Sequence, residues 1–226
     1  LIMLFKIVKR ITKNNLYALI ATGAFAFSIA CTTMTIYLRM YATLTFFVLS
    51  MIYMNLKIYE RKNTAKFTDF LILGLITLLG TLTQYYFILF EGLTGLIMLV
   101  FQIKERNIKD LIKYIITAVL GSAAALCIYP YIITNVLGGN RGFGSLSISI
   151  DPITVVTYFA YKIGTYIQVL AKDVFLNQIW LLALCSVALI GFWIYLRFVR
   201  KEKLSRTAFM AFVPSLVYFV AISLVS

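Results

Sequence analysis

Between Lys13 and Lys57 the chain contains one charged residue, Arg39, and this long uncharged stretch constrains the fold more than any other feature. As a single helix, residues 16–59 would be about 66 Å long, about twice the roughly 30 Å hydrocarbon core of a bilayer. A charged side chain within that core costs a few kcal/mol. We therefore predict that the segment crosses a membrane twice and reverses at residues 38–41, with Arg39 at the outer surface.

The composition agrees with a membrane location for most of the chain. Hydrophobic residues make up 62% of the 226 residues and charged residues only 13%, and the mean hydropathy is +0.94. A soluble domain has about 25% charged residues. The apolar runs are continuous rather than alternating, which favours helices over a β-barrel. We predict an all-α, polytopic integral membrane protein.

Four short clusters of basic residues separate the apolar runs. They are Lys6, Lys9, Arg10 and Lys13; Lys57, Arg61, Lys62 and Lys66; Lys104, Arg106, Lys109 and Lys113; and Arg197, Arg200, Lys201, Lys203 and Arg206. Cytoplasmic loops of membrane proteins are enriched in Lys and Arg. We therefore place all four clusters on the cytoplasmic side of a bacterial inner membrane. The net charge of +13 then reflects topology, and we predict no nucleic-acid partner.

The other apolar runs complete the predicted topology. Residues 67–103 would form a helix of about 55 Å, so we predict a second hairpin. Its outer reversal is placed at Thr83-Gln84-Tyr85-Tyr86, where a polar residue meets two aromatic residues that favour the interface. The further predicted spans are residues 114–137, with a kink at Pro130, residues 178–197 and residues 207–226. We expect six to seven transmembrane helices in a single domain, 1–226, with residues 1–13 ending a span that begins upstream in a longer protein.

Residues 152–176 have a different pattern from the spans. After a Gly- and Ser-rich loop, Asp151 and Pro152 are typical of a helix start. Polar residues then recur at helical spacing and form one polar face; they are Thr154, Thr157, Tyr161, Lys162, Thr165, Gln168 and Lys172. A crossing here would place the last basic cluster outside the cell. We therefore predict one helix that lies in the outer interface.

The candidate functional residues converge on the outer side. Arg39 and Tyr41 lie at the first reversal, and Gln84, Tyr85, Tyr86 and Glu91 lie at or just below the second. The guanidinium group of Arg suits a phosphate, while Tyr and Gln suit sugar hydroxyl groups. Each residue also has a structural interpretation: Arg39 as an interfacial side chain or a partner of Glu91, and the tyrosines as interfacial aromatics.

The sequence offers no metal or cofactor site. It contains no His, and its cysteines, Cys31, Cys127 and Cys185, lie far apart in apolar stretches, where a small buried hydrophobe is the common role. Phosphate-loop, dinucleotide-binding and metalloprotease motifs are absent. We therefore expect no cofactor, and any chemistry would use carboxylates, Arg, Tyr and amides.

Short motifs in this order resemble the GT-C type of membrane glycosyltransferase, in particular bacterial relatives of dolichyl-phosphate-mannose protein mannosyltransferases. Arg39-Met40-Tyr41, within the run 28–41, is similar to an Arg-Met-Tyr at the outer end of a span in that family. Thr83-Gln84-Tyr85-Tyr86 resembles its Thr-His-Tyr-Tyr, with Gln in place of His. Asn140-Arg141-Gly142, followed by an interfacial helix, is similar to the family layout.

The resemblance implies transfer of a sugar from a polyprenyl-phosphate donor to an acceptor outside the cytoplasm. It implies that Arg39 binds the lipid phosphate, while Tyr41, Gln84 and Tyr85 line the donor cavity. The family's catalytic Asp or Glu lies in an outer loop that would precede Leu1, so we expect this segment to lack it. Two alternatives stay open: a transporter or flippase for lipid-linked glycans, and a non-enzymatic membrane assembly protein.

Overall fold

The computed structural model describes residues 1–28, 31, 40–61 and 64–138, together with scattered positions between 157 and 213. The elements within these ranges are all helices. They are α1 (Ile2–Thr12), α2 (Asn15–Ala26), α3 (Met40–Arg61), α4 (Phe67–Thr83), α5 (Phe87–Lys104), α6 (Ile108–Ile128) and α7 (Tyr131–Gly138). The expected all-α class is therefore observed in the described part of the chain.

Three of these helices are long and apolar enough to cross a membrane. They are the segments Ala42–Arg61 of α3, Phe87–Lys104 of α5 and Ile108–Ile128 of α6. At 1.5 Å per residue their lengths are about 27–32 Å, which matches the hydrocarbon core. Helix α4 is also apolar but slightly shorter. The described residues thus support a membrane protein with three candidate spans.

The outer faces of these helices expose large apolar side chains in regular rows. On α4 the exposed residues include Leu71, Leu75, Leu79 and Leu82, and on α6 they include Ile112, Ile116, Val119 and Leu120. The spacing of three or four residues places each row on one face of its helix. A contiguous apolar surface of this kind marks contact with lipid or with other helices.

Helices α3 to α6 alternate in direction and are joined by short turns, so the bundle has two distinct ends. The end of α3, the start of α4 and residues 105–107 lie at one end, which we call the basic end because residues of the second and third basic clusters lie there. The start of α3, residues 84–86 and the end of α6 share the other end, which we call the corner end. Charge is therefore concentrated at one end of the bundle.

Buried Asp69 joins α3 to α4 at the basic end. Its carboxylate lies 2.7 Å from Lys57 Nζ and 2.5 Å from Arg61 Nη1, and it accepts a hydrogen bond from the Lys66 backbone N–H at 3.3 Å. These two cations and the backbone hydrogen bond compensate the buried carboxylate. Asp69 therefore joins the end of α3 to the start of α4.

Two further polar contacts tie other elements to the same end. Tyr59 Oη donates a hydrogen bond to Glu105 Oε1 at 2.7 Å, which joins α3 to the end of α5. Arg10 Nε donates to Glu60 Oε2 at 2.7 Å, which joins α1 to α3. The basic end is thus cross-linked by opposite charges as well as by apolar packing.

Helices α4 and α6 pack closely because both present glycine at their contact. A Cβ atom on Gly121 would lie 2.8 Å from the Gly74 carbonyl oxygen and 2.9 Å from Thr77 Cγ2. A Cβ on Gly74 would lie 2.8 Å from Thr117 Cγ2. Small residues allow helices in a membrane to approach closely. This contact sets the distance between α4 and α6.

Several predictions of element boundaries are confirmed. The reversal expected at residues 83–86 lies between the end of α4 at Thr83 and the start of α5 at Phe87. The helix expected to kink at Pro130 ends at Ile128 and resumes as α7 at Tyr131, since proline lacks the N–H that would continue the ladder. The second crossing of the first hairpin is α3, which is described from Met40 onward; the reversal at residues 38–41 stays a prediction, because residues 32–39 lie outside the described part.

Other expected elements differ or lie outside the described residues. The first crossing of residues 16–59 is not one continuous helix, because α2 ends at Ala26 and the Ser28 hydroxyl donates to the Phe25 carbonyl oxygen at 2.7 Å. The structure describes only scattered positions of the predicted interfacial helix 152–176 and of the last two spans. Some of the six to seven expected spans therefore lie outside the described residues, and their number stays a prediction.

Replacing Asp69 with Asn should lower the free energy of unfolding by about 3 kcal/mol. This value is the lower end of the range for breaking a buried ion pair, because the two partners of Asp69 are partly exposed. Unfolding of the detergent-solubilised protein by a denaturing detergent measures this change. The matched control is Glu60→Gln, which removes an exposed pair and should cost no more than about 1 kcal/mol.

Replacing Gly121 with Ala should destabilise the bundle by about 1–3 kcal/mol, because the added methyl group meets backbone and a tightly held Thr side chain. Gly92→Ala on α5 is the control, since no atom lies within 4 Å of a Cβ built there. That variant should be neutral or gain up to about 1 kcal/mol from helix propensity. Equal effects of the two substitutions would refute the close α4–α6 contact.

Candidate functional site

The turn between α4 and α5 forms a compact corner of three half-buried residues, Gln84, Tyr85 and Tyr86. Gln84 leaves α4 in an extended conformation while its N–H still donates to the Gly80 carbonyl oxygen at 3.0 Å. The Tyr85 and Tyr86 rings lie beside each other with centroids 4.3 Å apart. The predicted reversal thus gathers an amide and two phenol rings at the corner end.

Phe87 and Gly80 hold this corner against the bundle. Phe87 is fully buried, and a Cβ atom on Gly80 would lie 2.5 Å from Phe87 Cε1. Only glycine therefore allows the ring to rest on the α4 backbone. The Phe87 N–H also donates to the Gln84 carbonyl oxygen at 2.9 Å, so α5 starts immediately after the corner.

Glu91 lies one turn further along α5 and points into the bundle rather than out of it. Its side chain is buried, with 5% of the residue exposed. Thr77 Oγ1 on α4 donates to Glu91 Oε1 at 2.8 Å, and Ser122 Oγ on α6 donates to Glu91 Oε2 at 3.1 Å. Each carboxyl oxygen therefore has a hydroxyl donor from a different neighbouring helix.

More buried polar groups surround this carboxyl group. The hydroxyl group of Tyr114 on α6 lies near Glu91, Thr94 and Asn55. Within the described residues, neither this hydroxyl group nor Asn55 Oδ1 has a partner that meets hydrogen-bond geometry. Thr94 uses its hydroxyl group on backbone carbonyl oxygens of its own helix. The result is a polar layer across α3, α4, α5 and α6.

The polar layer lies close to the corner end. Glu91 is four residues after Phe87, a distance of about 6 Å along the helix axis, and Ser122 is six residues before the end of α6, about 9 Å from it. Glu91 therefore lies beneath the corner, in the same half of the bundle, as the sequence predicts.

The predicted site residues fall into three groups. Gln84, Tyr85 and Tyr86 are brought together at the corner, and Glu91 lies below them with hydroxyl partners. Tyr41 belongs to the first turn of α3 at the same end, although its side chain is outside the described part. Arg39 also lies outside the described residues, so its pairing with a phosphate or with Glu91 stays a prediction.

The donor set of the described residues suits hydrogen bonding rather than metal binding. These residues contain no group of three or more His, Cys, Asp or Glu side chains near enough to hold a metal ion. Neither Cys31 nor Cys127 forms a disulfide bond with a described cysteine. Hydroxyl, phenol and amide groups near the corner can bind hydroxyl groups of a sugar or oxygen atoms of a phosphate.

Sequence reasoning missed the partners of Glu91. Thr77 and Ser122 are small residues within apolar helices, and neither is distinctive by itself. Gly74 and Gly121 are the relevant pattern, since each glycine lies within one turn of a hydroxyl residue that contacts Glu91. Glycine beside Ser or Thr within a span is typical of a helix contact with interhelical hydrogen bonds.

Comparison of the chain with protein-family models, with curated proteins and with solved structures found no match. Function is therefore inferred from the residues and their geometry.

Replacing Thr77 with Val keeps the shape of the side chain and removes one donor to Glu91. We expect a loss of about 1–2 kcal/mol in unfolding free energy, because a buried carboxyl oxygen then lacks its partner. Thr134→Val on α7 is the control, since that exposed hydroxyl group bonds only a nearby carbonyl oxygen of its own helix. If both variants have the same free energy of unfolding as wild type, the Thr77–Glu91 hydrogen bond does not contribute to stability.

Proposed function

We propose that this chain belongs to a membrane glycosyltransferase that transfers a sugar from a polyprenyl-phosphate donor to an extracytoplasmic acceptor. The observation that supports the proposal is the corner of Gln84, Tyr85 and Tyr86, formed at the same end of the bundle as Met40, the first described residue of α3, which follows Arg39 in the sequence. An amide, phenol rings and a guanidinium group are the chemistry that a sugar phosphate requires.

The proposed topology has six to seven transmembrane helices and an outer interfacial helix at residues 152–176. Its basic end faces the cytoplasm of a bacterial cell, and its corner end faces outward. The proposal is supported by Lys57, Arg61, Lys104 and Lys109, which flank turns at one end of the bundle, because basic residues favour the cytoplasmic side. The outward corner would then meet donors presented in the outer leaflet.

In this proposal Arg39 binds the lipid phosphate, which gathers negative charge as the sugar departs. Tyr41, Gln84, Tyr85 and Tyr86 line the donor cavity. Glu91 contributes from below by bonding α4 and α6 to α5, which fixes the helices that end at the corner.

A second candidate, a transporter for lipid-linked glycans, is favoured by one observation. Glu91 is a carboxyl group buried between helices and surrounded by hydroxyl groups, and ionisable residues of this kind often line the ion or proton pathways of transporters. A transporter would need Glu91 for movement of substrate but would transfer no sugar. Glu91→Gln would then abolish transport while the protein still folds.

Replacing Arg39 with Ala in the full-length protein should lower the rate of sugar transfer by about 100-fold or more, the usual loss when a donor to the transition-state charge is removed. The assay uses membranes and polyprenyl-phosphate-linked hexose and pentose donors. Lys109→Ala, an exposed residue of the basic end, is the matched loss of one positive charge and should keep full activity.

Two outcomes would contradict this assignment. Full activity of Arg39→Ala at normal expression would exclude its role at the phosphate. Movement of an intact lipid-linked glycan across vesicles by the wild-type protein, without sugar transfer, would favour the transporter.

A further inference from the structure

Helix α1 has two contrasting faces. Lys6, Lys9 and Arg10 recur at intervals of three and four residues, so they share one face of the helix, and Lys13 follows directly after its last residue. Ile7 on the neighbouring face is buried in the core of the bundle. The helix therefore lies along the bundle with an apolar side inward and a basic side free for contact.

The basic face of α1 and Tyr53 of α3 form an open cleft of about 440 Å³, lined by Lys6, Lys9, Arg10, Lys13 and Tyr53. Small-molecule sites in proteins have volumes of about 300–1,000 Å³. The cleft is therefore large enough for a phosphate-bearing headgroup.

Tyr53 and Glu60 position the guanidinium group at the edge of this cleft. Arg10 Cζ lies 5.2 Å from the centroid of the Tyr53 ring, and Lys6 Nζ lies 6.0 Å from it. Arg10 donates through Nε to Glu60, and a guanidinium group has four further N–H donors. The ring thus holds two cations close to each other, with donors available for an anion.

Positive charge is in excess at this cleft. Its described residues contribute four basic side chains, and the carboxylate bonded to them is that of Glu60. Cations held this close repel one another unless an anion lies between them. Lys and Arg side chains bind phosphate oxygens through charge-assisted hydrogen bonds.

The surroundings of the cleft favour a lipid as the source of that phosphate. Lys13 lies in the turn before α2, and α2 exposes Leu16, Leu19 and Ile20. These apolar side chains can contact acyl chains next to a headgroup bound by α1. Basic pockets beside membrane helices commonly bind anionic headgroups.

We propose that the α1–α3 cleft binds the phosphate group of an anionic phospholipid, with the acyl chains along α2. The site lies at the basic end, opposite the corner proposed for the sugar donor, and it does not depend on that proposal. A bound phosphate group offsets the repulsion among the cations of α1.

The test measures binding of phosphatidylglycerol, in a phosphatidylcholine background, to the purified full chain in a mild detergent by native mass spectrometry. The double variant Lys6→Gln and Lys9→Gln should bind phosphatidylglycerol about 25-fold more weakly, because each basic residue near an anionic surface contributes about fivefold. Both side chains are exposed, so the variant should unfold at the wild-type temperature when phosphatidylglycerol is absent.

The matched control is Lys104→Gln with Lys109→Gln, which removes the same charge from exposed positions of the same end but outside the cleft. This variant should keep wild-type affinity. Equal losses in the two double variants would show only general attraction to anionic lipid and would overturn the site, as would no loss in either.

A second arm separates lipid from free phosphate. Excess inorganic phosphate, compared with chloride at equal ionic strength, should leave phosphatidylglycerol bound and should not raise the unfolding temperature. If phosphate displaces the lipid and stabilises wild type but not the cleft variant, the ligand is free phosphate and the lipid assignment is wrong.

Discussion

The carboxyl group of Glu91 needs hydrogen-bond donors inside an apolar bundle, and the arrangement of three helices depends on how it obtains them. An unpaired polar group in lipid costs several kcal/mol. Thr77 and Ser122 supply one hydroxyl group each, from α4 and α6. Both can reach α5 only because α4 and α6 approach closely at Gly74 and Gly121. Small residues and hydroxyl donors therefore act together, and they fix the helices that end at the corner.

Charge is distributed very unevenly along this bundle. Between Asp69 and Lys104 the only charged residue is Glu91, whereas the turns at the basic end are flanked by many cations. Asp69 neutralises part of that charge by contact with Lys57 and Arg61. Lys and Arg have long apolar stems, which allow their charged groups to lie in the interface while the helix enters lipid. The basic end thus combines internal ion pairs with an excess of positive charge among its described residues.

Much of the helical layout could be predicted from the sequence because lipid imposes length and polarity. The reversal at residues 83–86 was located by the length of an apolar run and one Gln beside two tyrosines, and the break at Pro130 by the missing N–H. The layout of the first helices was less predictable. The contacts of Arg10 with Glu60 and with the Tyr53 ring require a short amphipathic helix packed against α3. The basic residues alone indicated only which side of the membrane they occupy.

The partners of Glu91 were not predictable for a different reason. In a soluble helix, polar residues mark the exposed face, but in a membrane helix exposed and buried faces are both apolar. Thr77 and Ser122 therefore leave no periodic pattern that distinguishes the inward face. A glycine in the helix is the better indicator of its inward face. It predicts a close helix contact, but it does not identify the helix that makes the contact.

The hydroxyl partners of Glu91 also bear on the competition for Arg39. In the sequence, a guanidinium group at the first reversal has two possible anions, a donor phosphate and the nearby carboxyl group of Glu91. A buried carboxyl group without donors would bind the cation strongly, because both desolvated charges need compensation. Each oxygen of Glu91 already accepts a hydrogen bond, so its need for Arg39 is reduced. Under the proposed function, a phosphate with several unsatisfied oxygens offers the guanidinium group of Arg39 the stronger bidentate contact, so the proposal expects a ligand rather than an internal ion pair.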